Sequence, residues 1–302
     1  MNASAQLYAV DMFGESTAPK ASGVVAQRFG FAPFTVLDAK SGDWQERKRA
    51  WMALGIRSEA GRDIKPTSCA AGWMQRGSEE GGSIFDPVLC EMAYRWWCQK
   101  GGQVVDPFAG GSVRGIVAGA LGLNYWGCDI RAEQVAANNA QADVIATERR
   151  PVWVCGDSME TLADAPMADF VFSCPPYGDL EVYSDDPADL STMEWHTFVA
   201  AYKRIIMRAV ARLKDDRFAC FVVGDFRDPK GFYRDFVSTT IRAFEECGAR
   251  LYNEAILATP VGSACMRVTK QFDASRKMAK THQNVLVFCK GDPRKAAKAC
   301  AA

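Results

Sequence analysis

The run Gln103-Val104-Val105-Asp106-Pro107-Phe108-Ala109-Gly110-Gly111-Ser112 decides how this chain is read. Val104-Val105 predicts a short buried strand closed by an acid. The adjacent glycines predict a tight turn, and Val113–Leu121 reads as a helix. Strand, glycine turn and helix in that order are how an α/β sheet builds a ligand cradle. Glycine lets the backbone come close to a ligand that a Cβ would hold off. Further on, Phe170-Val171-Phe172 leads into Ser173-Cys174-Pro175-Pro176-Tyr177. There a second strand ends in two prolines, whose fixed φ and missing N–H leave carbonyls free to accept, followed by an aromatic ring.

Strand and helix patterns alternate around these two stretches, which predicts a mostly parallel sheet covered on both faces. The expected order is helix Asp86–Gln99, strand Gln103–Asp106, helix Val113–Leu121, strand Tyr125–Asp129, helix Ala132–Thr147 and strand Val152–Cys155. Strand Asp169–Ser173, helix Met193–Leu213, strand Phe218–Val223, helix Tyr233–Cys247 and strands Tyr252–Ala258 and Asn284–Lys290 follow, the last two joined without a clear helix. Upstream, Phe34–Asp38 suggests a short strand and Trp44–Leu54 a helix, while residues 57–82 read as a loop with Trp73 and Met74 as an anchor. Residues 1–80 are expected to form an arm and small extension, and 81–302 the main domain.

Composition narrows the function classes. An apolar fraction of 48% supports a packed core and excludes wholesale disorder. Without an apolar run of about 18 residues or a basic-then-apolar start, the chain reads as soluble, unexported and cytoplasmic. The 11 cysteines include no Cys-x-x-Cys pair, and those in apolar runs, such as Cys155 and Cys220, are expected to be buried thiols. With only His196 and His282, neither a zinc site nor a histidine-based hydrolase is expected. Lys plus Arg and Asp plus Glu number 36 each, so a polyanion would have to be met by local patches. Two qualify: Arg47-Lys48-Arg49 continuing through Arg57 and Arg62 to Lys65, and Arg267, Lys270, Arg276, Lys277 and Lys280. Either also serves as a solvated face.

Together, Asp106–Ser112 and Cys174–Tyr177 resemble motifs I and IV of the S-adenosylmethionine-dependent DNA amino-methyltransferases, and Phe85-Asp86-Pro87 resembles their motif X. The likeness covers roughly residues 83–291 and is greatest to small phage and bacterial enzymes. It implies a Rossmann-like, seven-stranded methyltransferase sheet with helices on both faces, here with an N-terminal extension. It implies S-adenosylmethionine as cofactor. Phe85, Asp86, Asp106, Phe108, Gly110 and Ser112 would hold the amino acid end, with Asp106 near the ammonium. Asp129 would take the ribose hydroxyls and Asp157 the adenine amine.

Cys174, Pro175, Pro176 and Tyr177 would carry the chemistry. An exocyclic amine is a weak nucleophile, so acceptors for its two protons favour a pyramidal nitrogen, while the ring stacks on an extruded base. The family places Asp, Asn or Ser where this chain has Cys174, and often Gly where it has Ser112. A thiol is a weak acceptor; Ser173 precedes it, but strand alternation points that side chain the other way. The resemblance implies DNA as partner, met by Arg267, Lys270, Arg276 and Lys277, no membrane, and leaves a homodimer open. The acidic Glu181–Asp189 segment reads as a loop over the pocket. Alternatives stay open at this stage: a cytosine-C5 enzyme using Cys174, methylation of RNA guanine or protein glutamine, or a catalytically weak DNA-binding protein of the same fold.

Overall fold

A computed structural model describes residues 29–57, 65–66, 85–178, 181–261 and 264–301, with side chains undescribed at 65–66, 181 and 264–267. The N-terminal arm, the Trp73–Met74 anchor, Arg62 and the Arg267 side chain lie outside the described residues.

The strands are β1 (Val36–Asp38), β2 (Lys65–Pro66), β3 (Gln103–Asp106), β4 (Asn124–Asp129), β5 (Val152–Cys155), β6 (Ala168–Ser173), β7 (Glu181–Val182), β8 (Leu213–Val223), β9 (Ala249–Ala258) and β10 (His282–Lys290). Eight of them form one sheet in the order β5-β4-β3-β6-β8-β10-β9-β1, while β2 and β7 make a separate antiparallel pair. Strands β3, β4, β5, β6 and β8 run parallel, and β10 is antiparallel to both neighbours. Seven of the eight make the Rossmann-like sheet that the sequence implied. The eighth, β1, pairs parallel with β9 through Val36–Ile256 and Leu37–Leu257.

The chain winds outward from β3 to β4 and β5, then returns to place β6 on the other flank of β3. Such a switch point leaves a crevice at the strands' carboxyl ends. It also sets the two diagnostic stretches side by side.

Side-chain alternation builds a core on each face. Along β8, Phe218, Cys220 and Val222 join one buried cluster while Ala219, Phe221 and Val223 join the other. In β10, Val285 and Val287 part from Leu286 and Phe288 in the same way. Helices α1 (Gly42–Met52), α2 (Pro87–Trp97), α3 (Val113–Ala120) and α4 (Ala132–Val144) contribute to the first cluster. α5 (Ser158–Thr161), α6 (Trp195–Arg212) and α7 (Phe236–Glu246) border the second, where Phe244 stacks on Phe288 at 3.9 Å.

Besides the single-turn α5, two helices were not foreseen. α8 (Ala264–Ser275) lies in the connection expected to lack one. Among its described side chains, Val268 to Ser275, only Val268 and Gln271 are even half-buried. α9 (Pro293–Cys300) starts with Asp292 capping the Arg294 N–H and Pro293 in its first turn, a start signal legible in the sequence. Cys220 is buried as expected, whereas Cys155 is exposed because β5 is a sheet edge. Among the described residues no helix is long and apolar enough to cross a membrane.

A buried charge pair ties α1 to α2. Arg47 pairs through two nitrogens with Glu91, which also accepts from Trp51 Nε1 at 2.8 Å and Arg95 Nε at 2.8 Å. Burial would raise the Glu91 carboxyl, but Arg47, Arg95 and Trp51 more than offset it and hold it below the ordinary value. Glu91→Gln leaves Arg47 uncompensated and is expected to cost about 3–5 kcal/mol in urea denaturation at neutral pH. Because the folded pKa is depressed, this stabilisation is present above the unfolded value and lost as pH falls through the folded one. The gap between wild type and variant should therefore narrow on acidification.

Candidate functional site

A cavity of about 410 Å³ opens at the carboxyl ends of β3, β4, β5 and β6. Its wall includes Phe85, Asp86, Phe108, Gly110, Asp129 and Asp157, together with Cys174, Pro175, Pro176 and Tyr177. Ten residues expected at the site thus share one cavity.

Two others do not reach it. Asp106 is fully buried. One carboxylate oxygen accepts from Arg114 Nε at 2.6 Å and the Tyr125 hydroxyl at 2.7 Å. The other accepts from Ser173 Oγ and from the Phe108 N–H at 3.2 Å. With that set of donors, Asp106 organises the turn from beneath rather than facing a ligand's ammonium. Ser112 is also fully buried and meets Gln141 at 3.0 Å, behind the turn. Ser173 points into the same buried network, away from the cavity, as strand alternation predicted.

The turn itself is held from several sides. Gly110 adopts φ +49°, in the left-handed region that favours glycine. Its N–H donates to Asp129 at 2.9 Å and its carbonyl accepts from Asn138 at 2.7 Å. Asp129 also accepts from the Arg131 N–H at 3.0 Å. Asp157 caps α5 through the Met159 N–H at 2.8 Å. Asp86 caps α2 through Val88 and Leu89, and takes the Trp44 indole N–H at 3.2 Å and Lys48 at 3.3 Å. A helix cap is the ordinary use of a strand-end acid. Here Asp86 and Asp157 both cap a helix and line the cavity.

On the β6 side, Tyr177 packs edge-on against Phe226 and Phe236, with ring centroids 6.2 and 6.0 Å away. Its hydroxyl accepts from Gln283 at 2.8 Å, and burial pushes the phenol well above its usual pKa, so it stays neutral. Cys174 lies beside Tyr177 on the wall and is half-buried. Tyr183 and Asp189 of the acidic segment also line the cavity.

The basic residues sit apart from the cavity but on a segment that starts and ends on it. Thr259 and Pro260 lead from the wall into α8, and Gln283 returns to it. Lys270 and Arg276 are exposed, Arg276 lying over the Phe272 ring. Lys277 sits against Gly231, where an added Cβ would approach its Nζ to 2.6 Å. The segment therefore borders the turn carrying the exposed Phe232 and Tyr233, with Arg227 stacked on Tyr233 at 4.1 Å.

Sequence reading missed Arg114, Gln283 and Arg131, and placed Lys48 only in a basic patch; all four are on the cavity wall. Arg114 lies two residues past the Asp106–Ser112 turn, and an arginine on an otherwise apolar helix start was a visible signal.

No protein-family model matches the chain. No curated protein matches it either. Among solved structures it is similar to TrmN from Thermus thermophilus, with 13% identity, a TM-score of 0.47, and coverage of 68% of this chain and 49% of that one. The chain thus spans about half the length of TrmN. It is also similar to precorrin-6y C5,15-methyltransferase from Geobacter metallireducens (13%, TM-score 0.44, 68% and 87%). A TehB-like SAM-dependent methyltransferase from Corynebacterium glutamicum compares at 15%, TM-score 0.42, 69% and 89%. At these values the likenesses do not bear on substrate or chemistry, and the fold assignment rests on the strand order.

Removing the buried acid should unfold rather than disarm. Asp106→Ala strands Arg114 in the core and is expected to cost about 3–5 kcal/mol in chemical denaturation. Unchanged stability would return Asp106 to a ligand-facing role.

Proposed function

We propose that the chain is a site-specific DNA methyltransferase that moves a methyl group from S-adenosylmethionine to an exocyclic amine of a DNA base, adenine N6 or cytosine N4. One observation carries the reading: strand-end acids Asp129 and Asp157 and the Pro175–Pro176–Tyr177 segment line a single cavity at the switch point. The donor set fits the cofactor. Gly110 gives close backbone approach, Asp129 offers carboxylate oxygens for ribose hydroxyls, and Asp157 stands one strand further out for the adenine amine.

When bound, the cofactor supplies an electrophilic methyl on a sulfonium. The residues that follow β6 prepare the acceptor. The Cys174 side chain accepts one of the amine's protons, and the Pro175 carbonyl, which precedes a proline with no N–H to compete for the space, accepts the other. Tyr177, braced by Phe226, Phe236 and Gln283, offers a ring on which an extruded base stacks. Lys270, Arg276 and Lys277, on the segment that borders the cavity, meet the phosphates.

A second reading is favoured by the place of Cys174 on the wall: thiolate addition to the ring carbon of cytosine. Mass spectrometry of nucleosides from DNA of cells expressing the chain separates the two. N6-methyladenine or N4-methylcytosine is expected, with Cys174→Ser retaining or raising activity because oxygen accepts an amine proton better than sulfur. 5-Methylcytosine, abolished by Cys174→Ser, would establish the C5 reaction instead. Unmodified DNA would redirect the assignment to RNA or protein amides.

Binding to phosphates has its own signature. Replacing Lys270, Arg276 and Lys277 by Ala should flatten the log–log salt dependence of DNA affinity by about 0.9 for each phosphate no longer neutralised. An unchanged slope would move docking to the α1 basic cluster.

A further inference from the structure

We propose that Arg114 receives the carboxylate at the amino acid end of the methyl donor. This deepens the cofactor reading above and rests on it.

Arg114 lies on the first turn of α3 and is only 4% exposed. Its Nε donates to Asp106, and its Nη2 donates to the carbonyls of Phe108 and Ala109, the latter at 2.9 Å. A guanidinium carries five N–H donors, and these bonds occupy Nε and Nη2. No acceptor among the described residues takes the two N–H groups of Nη1. That nitrogen is not sealed in the protein interior, and Arg114 lines the cavity. Phe85 covers one face of the group, its ring centroid 4.7 Å from Cζ, so the edge is what remains for a ligand.

A nearly buried cation with an unused pair of donors calls for an acceptor. A carboxylate matches it best, because the planar guanidinium edge and the carboxylate are complementary and the bond is charge-assisted. The order of the strands supports the same placement. Asp157 follows β5, Asp129 ends β4 and Arg114 follows β3, and these strands are consecutive in the sheet. A ligand with adenine at Asp157 and ribose at Asp129 therefore extends its far end towards Arg114.

The other cations on the wall stand elsewhere. Arg114 is itself paired with Asp106 at 2.6 Å, but through Nε, whereas Lys48, paired with Asp86 at 3.3 Å, comes from α1 and Arg131, paired with Glu133 at 3.2 Å, lies at the end of β4 rather than β3. Most of the remaining charge on the wall is acidic (Asp86, Asp129, Asp157, Asp189) and would repel a carboxylate. Arg114 also serves the turn itself, since its bonds to Asp106 and the two carbonyls hold Phe108 and Ala109 in place. The same residue thus shapes the turn and recognises what lies on it.

Calorimetry with S-adenosylmethionine and its decarboxylated analogue tests this on the wild-type chain. The intact cofactor is expected to bind about 10- to 100-fold more tightly, the range for one charge-assisted interaction. Arg114→Gln combined with Asp106→Asn removes both buried charges together. In that variant, checked for folding by circular dichroism, the two ligands should bind with nearly equal affinity. Equal binding of both ligands to the wild type would overturn the assignment alone, whether or not the double variant folds. So would full discrimination surviving in the folded variant. Binding of neither ligand to the wild type would overturn the cofactor reading and this assignment with it.

Discussion

The Asp106 carboxylate is the fixed point of this structure. It is wholly removed from water, yet it gathers a guanidinium from α3, a phenol from β4, a hydroxyl from β6 and an amide from its own turn. A buried carboxylate left unpaired would be among the costliest groups in a protein, and a fully satisfied one is an organising centre. Three central strands are bound into register through it. The glycine turn above is held open because what lies below it cannot move.

The parallel sheet places that carboxylate where it matters. Reversal of winding direction between β5 and β6 makes β3 and β6 neighbours, so a hydroxyl from one strand can answer an acid from the other. Alternation then separates the labour along β6. Ser173 turns down into the network, and Cys174 and Tyr177 turn up to the cavity. The aromatic cluster of Phe226, Phe236 and Trp195 behind Tyr177 keeps its ring in one orientation. Packing of this kind supports a site whose parts come from distant stretches of chain.

Charge on the wall is arranged with similar economy. The acids at the ends of β4 and β5 cap helices or hold the turn, and still present oxygen to the cavity. Asp86 does so while bound by Trp44 and Lys48 of α1, which draws the N-terminal extension into the cavity wall. The α1 contribution was invisible in the sequence because nothing local links residue 44 to residue 86. β1 was legible as a strand from Val36 and Leu37, but its partner on β9 was not.

The sequence by itself determined the alternation of strands and helices, the glycine turn, the proline pair and the three acids at successive strand ends. Those signals are local: hydrophobic period, turn chemistry and caps are set by residues a few positions apart. It also indicated that Ser173 faces away from the cavity, since a period of two allows nothing else. Only the tertiary structure decided which acids reach the cavity. Asp106 and Asp129 look alike in the chain, each closing an apolar strand. One is buried because Arg114, Tyr125 and Ser173 converge on it, and the other lines the cavity while accepting from the Gly110 and Arg131 backbone amides. Convergence of side chains from three strands and a helix has no local signature, so burial separated them where sequence position could not.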